Sequence, residues 1–280
     1  MFRKTGLLTA VAALLAAPAA RADWGALNMP KGVSTMSGEI YDLHMLVLWW
    51  CVAIGAFVFG WMILSLVKFR KSKGAVPDTT MVHSTRAEII WTAIPVVILV
   101  LMAVPATRTL IHLEDATNTG LTVKVTAYQW KWQYDYLDKG VSFYSTLSRD
   151  SDAARQLQSG TDPSSVPNYL LEVDKPLVVP VGTKVRLLLT AKDVIHAWWV
   201  PAFGVKKDAI PGFVNEAWFE VQADKPGTYR GQCVELCGRD HGFMPIVVEA
   251  KTQAEFDAWL AAQRGATQQQ AAAPAATTAG

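Results

Sequence analysis

Residues 43–67 read LHMLVLWWCVAIGAFVFGWMILSLV, 25 positions without an Asp, Glu, Lys or Arg. Wound as a helix, that run would be roughly 37 Å long, more than the roughly 30 Å hydrocarbon core of a bilayer. A second charge-free run, IIWTAIPVVILVLMAVPAT, fills residues 89–107. Its Pro95 and Pro105 would break a soluble helix, but neighbouring membrane helices can satisfy the backbone groups they free. Between the runs lie Lys68, Arg70, Lys71, Lys73 and Arg86 against only Asp78 and Glu88. Loops this rich in cations stay in the cytoplasm. The sequence therefore predicts a two-helix transmembrane hairpin, with helices at 42–67 and 89–107, a cytoplasmic loop at 68–88, and both ends of the mature chain outside.

The residues before the hairpin agree. Arg3 and Lys4, an apolar stretch at 7–17 and the small-residue exit Ala20-Arg21-Ala22 read as a cleaved secretory signal over residues 1–22. A short exported segment, 23–41, would follow. Removing the signal leaves 23 Lys and Arg against 24 Asp and Glu, so the mature chain is not basic and nothing points to nucleic acid. Beyond the hairpin, residues 108–262 form an exported domain. Its short runs of Val, Leu, Tyr and Trp, at 121–136, 169–173, 184–190, 217–221 and 244–249, are punctuated by Gly, Pro and Asp, which predicts a β-sandwich or barrel. Residues 147–168 read as a long surface loop and 255–260 as a closing helical turn. A low-complexity tail of Ala, Gln and Thr occupies 263–280.

Chemistry concentrates in one segment, Cys233-Val-Glu235-Leu-Cys237-Gly-Arg-Asp-His241-Gly-Phe-Met244. Two thiols, an imidazole and a thioether make a soft donor set, suited to copper or zinc. Three readings compete. A Cys233–Cys237 disulfide is natural in an exported protein but leaves His241 and Met244 without a purpose. Zinc rarely uses methionine, and a folded domain of this size needs no metal to hold it. Copper electron-transfer sites combine imidazole, thiolate and a weak axial Met, and two cysteines permit their sulfurs to be shared between two coppers. Such a pair needs a second imidazole. His44, His83 and His112 lie in or beside the hairpin, which leaves His196 in Asp193-Val-Ile-His196-Ala-Trp-Trp.

The segment from Gly231 to Pro245 resembles the dinuclear copper motif of cytochrome c oxidase subunit II. The likeness extends over about residues 40–260 through the hairpin, Gln129-Trp-Lys-Trp132, Leu170-Leu-Glu-Val-Asp174 and Asp208-Ala-Ile-Pro-Gly212. It implies a cupredoxin-like all-β barrel after the hairpin, in the periplasm of a bacterium whose inner membrane the chain crosses twice. It also implies that Cys233 and Cys237 bridge two coppers, that His196 and His241 each bind one, and that Met244 is a weak ligand. Glu235 matches the residue whose carbonyl completes the site and whose side chain reaches a magnesium ion at the contact with the catalytic subunit. Trp130 matches the position where electrons arrive from cytochrome c. Asp135, Asp174 and Asp193 match its docking carboxylates, although Lys192 stands where mitochondrial members carry another acid. Glu88 matches a residue at the opening of a proton-uptake path. The implied partners are cytochrome c, the haem-copper catalytic subunit I, subunit III and membrane lipid.

This chain lacks a Cys-x-x-Cys-His haem attachment, so oxygen reduction and its proton pumping would belong to the partner subunit. A nitrous oxide reductase domain, a copper carrier and a quinol oxidase subunit fit less well. The first is soluble and carries a large additional domain, the second exchanges metal through open few-ligand sites, and the third would be expected to lack the copper ligands.

Overall fold

The computed structural model describes residues 27–76, 79–80 and 83–272, with side chains to 265. The expected signal at 1–22 and the end of the tail from 273 lie outside the described residues. Helix α1 spans Thr35–Lys68 and helix α2 spans Thr85–Glu114. Both are long and apolar enough to cross a membrane, and both outrun their charge-free cores. Ser34 caps α1 by accepting from the Ser37 N–H at 2.9 Å, and its hydroxyl donates to the Phe203 carbonyl at 2.7 Å, tying the helix to the domain that follows. Ser84 caps α2, and Pro95 and Pro105 sit inside it without ending it. The large side chains of both helices, Phe57, Trp61, Trp91 and Leu99 among them, face outward. At the outer end of the hairpin, His112 Nδ1 meets Glu39 Oε2 at 2.9 Å.

Ten strands follow. They are β1 Leu121–Tyr128, β2 Lys131–Tyr136, β3 Val141–Ser145, β4 Leu177–Pro180, β5 Val185–Ala191, β6 His196–Val200, β7 Val205–Ala209, β8 Asn215–Phe219, β9 Gly227–Cys233 and β10 Pro245–Lys251. They form two five-stranded sheets, in the orders β3-β2-β1-β5-β8 and β4-β10-β9-β6-β7. β1 runs parallel to β5 and β4 parallel to β10, while the other pairs are antiparallel. Alternate residues of β2 and β5 are buried, which places Trp132, Tyr134, Leu187 and Leu189 in a common core with Trp198, Phe203, Phe219 and Ile246. Phe203 stacks on Phe219 with ring centroids 4.5 Å apart, an aromatic contact that adds to the area it buries. The architecture is the expected membrane hairpin followed by an all-β sandwich of cupredoxin type.

Several local expectations change. The run 121–136, with an aromatic side chain at every second position from Tyr128 to Tyr136, is not one strand but a hairpin broken at Gln129–Trp130, so those residues do not share one face. Trp132, Tyr134 and Tyr136 point into the core, whereas Tyr128 ends β1 and Trp130 lies in the turn. Residues 169–173 form turns rather than a strand, with Asn168 and Leu170 at positive φ and a single bridge between Leu147 and Val173. The long loop contains a short helix, α3, Arg149–Ala154, capped by Ser148. The closing helix, α4, runs Gln253–Ala272 and passes through Gly265; Phe256 and Leu260 anchor its first turns in the core.

Candidate metal centre

Cys233 is the last residue of β9 and Met244 immediately precedes β10. The intervening loop carries Cys237, followed by a 3-10 turn at His241–Phe243. His196 opens β6, the neighbour of β9, where Trp198 pairs with Cys233. That register brings a histidine 37 residues away in sequence against the cysteine loop.

Gly238 adopts φ +117°, and a Cβ there would lie 3.0 Å from Gln129 Nε2 and 3.1 Å from Trp130 Cζ2. Glycine is therefore needed both for the backbone conformation and for the close approach.

The donors converge. His196, Cys233 and Cys237 each offer a ligand atom within 4.8 Å of the others. Cys233 Sγ lies 3.9 Å from His196 Nδ1 and 3.9 Å from Cys237 Sγ. Cys237 Sγ lies 3.5 Å from His241 Nδ1 and 3.6 Å from Met244 Sδ. The Glu235 carbonyl accepts from Cys233 Sγ at 3.4 Å, while the residue itself is exposed. His196, Cys233, Cys237 and Met244 are all buried, and His241 is half-buried.

The thiols are free. Their separation is too long for a disulfide of about 2.05 Å, yet short enough for one ion with metal–thiolate bonds of about 2.3 Å to touch both sulfurs. Three sulfurs and two imidazoles fit a soft transition metal. Burial, and then the neighbouring Cys233 thiol, push the Cys237 thiol up to about 12, so a metal must displace its proton to bind.

The surrounding residues orient this set. His196 Nε2 donates to Asp193 Oδ1 at 2.9 Å, which leaves Nδ1 toward Cys233. Asp193 also accepts from the backbone N–H groups of Gln129 and Val194, each at 2.7 Å. Desolvation works to raise the Asp193 carboxyl, but its bonds from His196, Gln129 and Val194 outweigh that, and it lies below the usual range. Trp132 stands edge-on to His196 with centroids 6.1 Å apart, and its Nε1 donates to the Met244 carbonyl at 3.2 Å. Trp130 Nε1 and Gln129 Nε2 both donate to the Cys237 carbonyl, at 3.2 and 2.8 Å.

The remaining expected residues lie apart from this cluster. Asp135 accepts from Gln133 and Ser142 on the outer side of the β2–β3 pair, and Asp174 accepts from the Thr146 N–H at 2.7 Å. Glu88 sits in the first turn of α2, roughly 39 Å of helix from the end that leads into β1. Sequence reasoning passed over Gln129 and treated Asp193 only as a surface carboxylate. The Asp-x-x-His spacing was the available sign that Asp193 could brace the imidazole.

A sequence profile described as the cytochrome c oxidase subunit II periplasmic domain matches residues 121–251, and one for the transmembrane domain of the same subunit matches residues 22–109. The chain is 41 % identical over 231 residues to a probable cytochrome c oxidase subunit 2 of Rickettsia bellii, covering 82 % of this chain and 81 % of that one. It is 36 % identical over 298 aligned positions to cytochrome c oxidase subunit 2 of Cereibacter sphaeroides, covering 99 % and 96 %. Among solved structures, the periplasmic domain of subunit II of the Bradyrhizobium japonicum cytochrome oxidase is 42 % identical, covering 54 % of this chain and 98 % of that one at a TM-score of 0.45. The barrel thus corresponds to a periplasmic C-terminal domain on a membrane-anchored chain. Aligned over most of its length with relatives that it also spans nearly whole, this chain belongs to the cytochrome c oxidase subunit II family, and with it to an oxidoreductase complex.

Proposed function

We propose that this chain accepts electrons from a cytochrome c at a dinuclear copper centre and passes them to the haem-bearing catalytic subunit, where oxygen is reduced to water with proton pumping. The observation that carries the reading is the convergence of Cys233 and Cys237, as free thiols, with His196, His241 and Met244. Bound there, a copper pair would supply one-electron uptake and release with the charge change spread over two metals.

The chain's own residues would set the conditions for that exchange. Cys233 and Cys237 would share their sulfurs, and His196 and His241 would each offer Nδ1. Met244 would act as the weak donor, and the Glu235 carbonyl would complete the set. Asp193 holds His196 in one tautomer, as partners of metal-bound imidazoles do. The core aromatics Trp132 and Trp198 keep water from the site. Trp130 supports a route for electrons from the surface, because its indole N–H reaches the carbonyl of a ligand residue directly.

Asp135, Asp174 and Asp193 are proposed as docking carboxylates for a basic cytochrome c; the Asp193 side chain keeps 29 % of its surface in solvent while bracing His196. Raising the ionic strength should then slow association, and a flat salt profile would argue against the patch. By family likeness, the exposed Glu235 side chain is proposed to reach a magnesium ion at the contact with the catalytic subunit, and Glu88 to sit at a proton-uptake opening. The chain would cross the bacterial inner membrane twice after loss of residues 1–22, with subunits I and III and lipid around the hairpin. Magnetic resonance of the purified oxidase tests the centre: Cys233→Ser should abolish the signal of a copper pair, and a wild-type signal in that variant would overturn the ligand assignment.

A further inference from the structure

From the long loop between β3 and β4, Arg155 reaches the metal-binding turn, beside a cleft that Thr146, Leu147 and Asp152 line together with Asp240 and Phe243. Arg155 follows α3 and lays its guanidinium over the Phe243 ring at 4.3 Å. Its Nη1 lies 3.6 Å from Asp240 Oδ1, and its Nε donates to Asp152 Oδ1 at 2.7 Å. Asp240 and Phe243 are the two ends of the turn that carries His241 and leads into Met244; the Phe243 N–H closes it on the Asp240 carbonyl at 2.9 Å. The Asp240 side chain makes no capping hydrogen bond to this turn. Arg155 is 23 % and Asp240 15 % exposed, so the pair is partly shielded from solvent and salt. The platform beneath Arg155 is itself fastened. The Ser148 N–H donates to the Glu172 carbonyl at 2.9 Å, and the buried Ser151 hydroxyl accepts from the Leu170 N–H at 3.1 Å.

We infer that Arg155 is a positioning residue for the metal-binding turn. It grips Asp240 electrostatically and Phe243 through its planar face, and so holds His241 and Met244 toward Cys237 from outside the barrel. This deepens the copper reading above and rests on it. A lysine at the position would keep the charge for Asp240 but could not lay a flat cation on Phe243.

The test uses Arg155→Ala and Arg155→Lys in the purified oxidase, with two readouts. The first is the rate at which a chelator removes copper. The second is amide hydrogen exchange in the copper-stripped protein. For Arg155→Ala, copper loss should quicken about tenfold, the lower end for residues that support a ligand. Exchange should rise at residues 241–244 while β1 and β5 stay protected, and Arg155→Lys should fall between. Unchanged copper loss together with unchanged exchange at 241–244 would overturn the proposal. So would a uniform rise across the barrel, which would mean that the side chain merely stabilises the domain. If the wild-type chain proved to hold no copper, the metal reading would fail, and the exchange measurement would still decide whether Arg155 fastens the turn.

Discussion

Replacing Asp193 with alanine should loosen copper without unfolding the barrel. The carboxylate accepts three hydrogen bonds, from the Gln129 and Val194 N–H groups and from His196 Nε2. Gln129 and Val194 are exposed, so water can replace the lost acceptor there at little cost. His196 has no exposed surface, so its ring N–H would be left without a partner or the ring would turn. A hydrogen bond involving a charged group contributes about 1.5–3 kcal/mol, and losing the partner of a ligating histidine costs about 10–100-fold in metal affinity. The two ranges agree, since about 1.4 kcal/mol corresponds to a factor of ten. Competition against a copper chelator at fixed pH should therefore show Asp193→Ala releasing metal at about a tenth to a hundredth of the wild-type chelator concentration. Asp193→Asn, whose amide oxygen still accepts, should lose less. Copper retention within a factor of about two of wild type in Asp193→Ala would refute the claim that this carboxylate orients the ligand.

Other variants separate ligand from route. Met244→Leu should keep copper but shift its potential, because the thioether is the weak donor; redox titration checks this, and an unchanged potential would remove Met244 from the ligand set. Trp130→Gln should slow electron transfer from cytochrome c in stopped-flow while leaving the copper spectrum intact, and loss of the spectrum would mean that the indole is structural. Glu88→Ala should slow steady-state oxygen uptake with the copper signal unaltered; full turnover would exclude a role in proton uptake. In copper-stripped protein, Cys237 is held up to about 12 by burial and by Cys233, while an unfolded thiol titrates at about 8.5. The unfolded chain then binds fewer protons above that value, so this group's contribution to stability is complete below about pH 8.5 and declines as the pH rises toward 12. Denaturant midpoints of the stripped protein, compared between wild type and Cys237→Ala, would show the difference; equal pH slopes would refute it.

Properties that lie along the chain were legible without coordinates. A charge-free run of 25 residues is long enough to span a bilayer as a helix, and the residue types and spacing from Cys233 to Met244 confine four soft or imidazole donors to one loop. His196 was reached only by elimination among histidines. What places it is the antiparallel register of β6 on β9, in which Trp198 faces Cys233. β4 and β6 escaped the sequence reading because they are short and buried on both faces, which leaves no alternation to read, and β9, Gly-Thr-Tyr-Arg-Gly-Gln-Cys, because its mostly polar and Gly residues carry no apolar pattern. Aromatic residues alternate in the sequence from Tyr128 to Tyr136, yet the turn at Gln129–Trp130 leaves the first two half-buried and the last three fully inside the core.

The sequence by itself determined that the chain is anchored by a hairpin and which atoms are available to a metal, since composition and local spacing suffice for both. Tertiary structure alone decided how His196 is brought to the sulfurs, that Asp193 braces it and that Arg155 grips the turn. Those contacts join segments tens of residues apart, and their geometry is set by strand register and packing, for which a linear sequence carries no local mark.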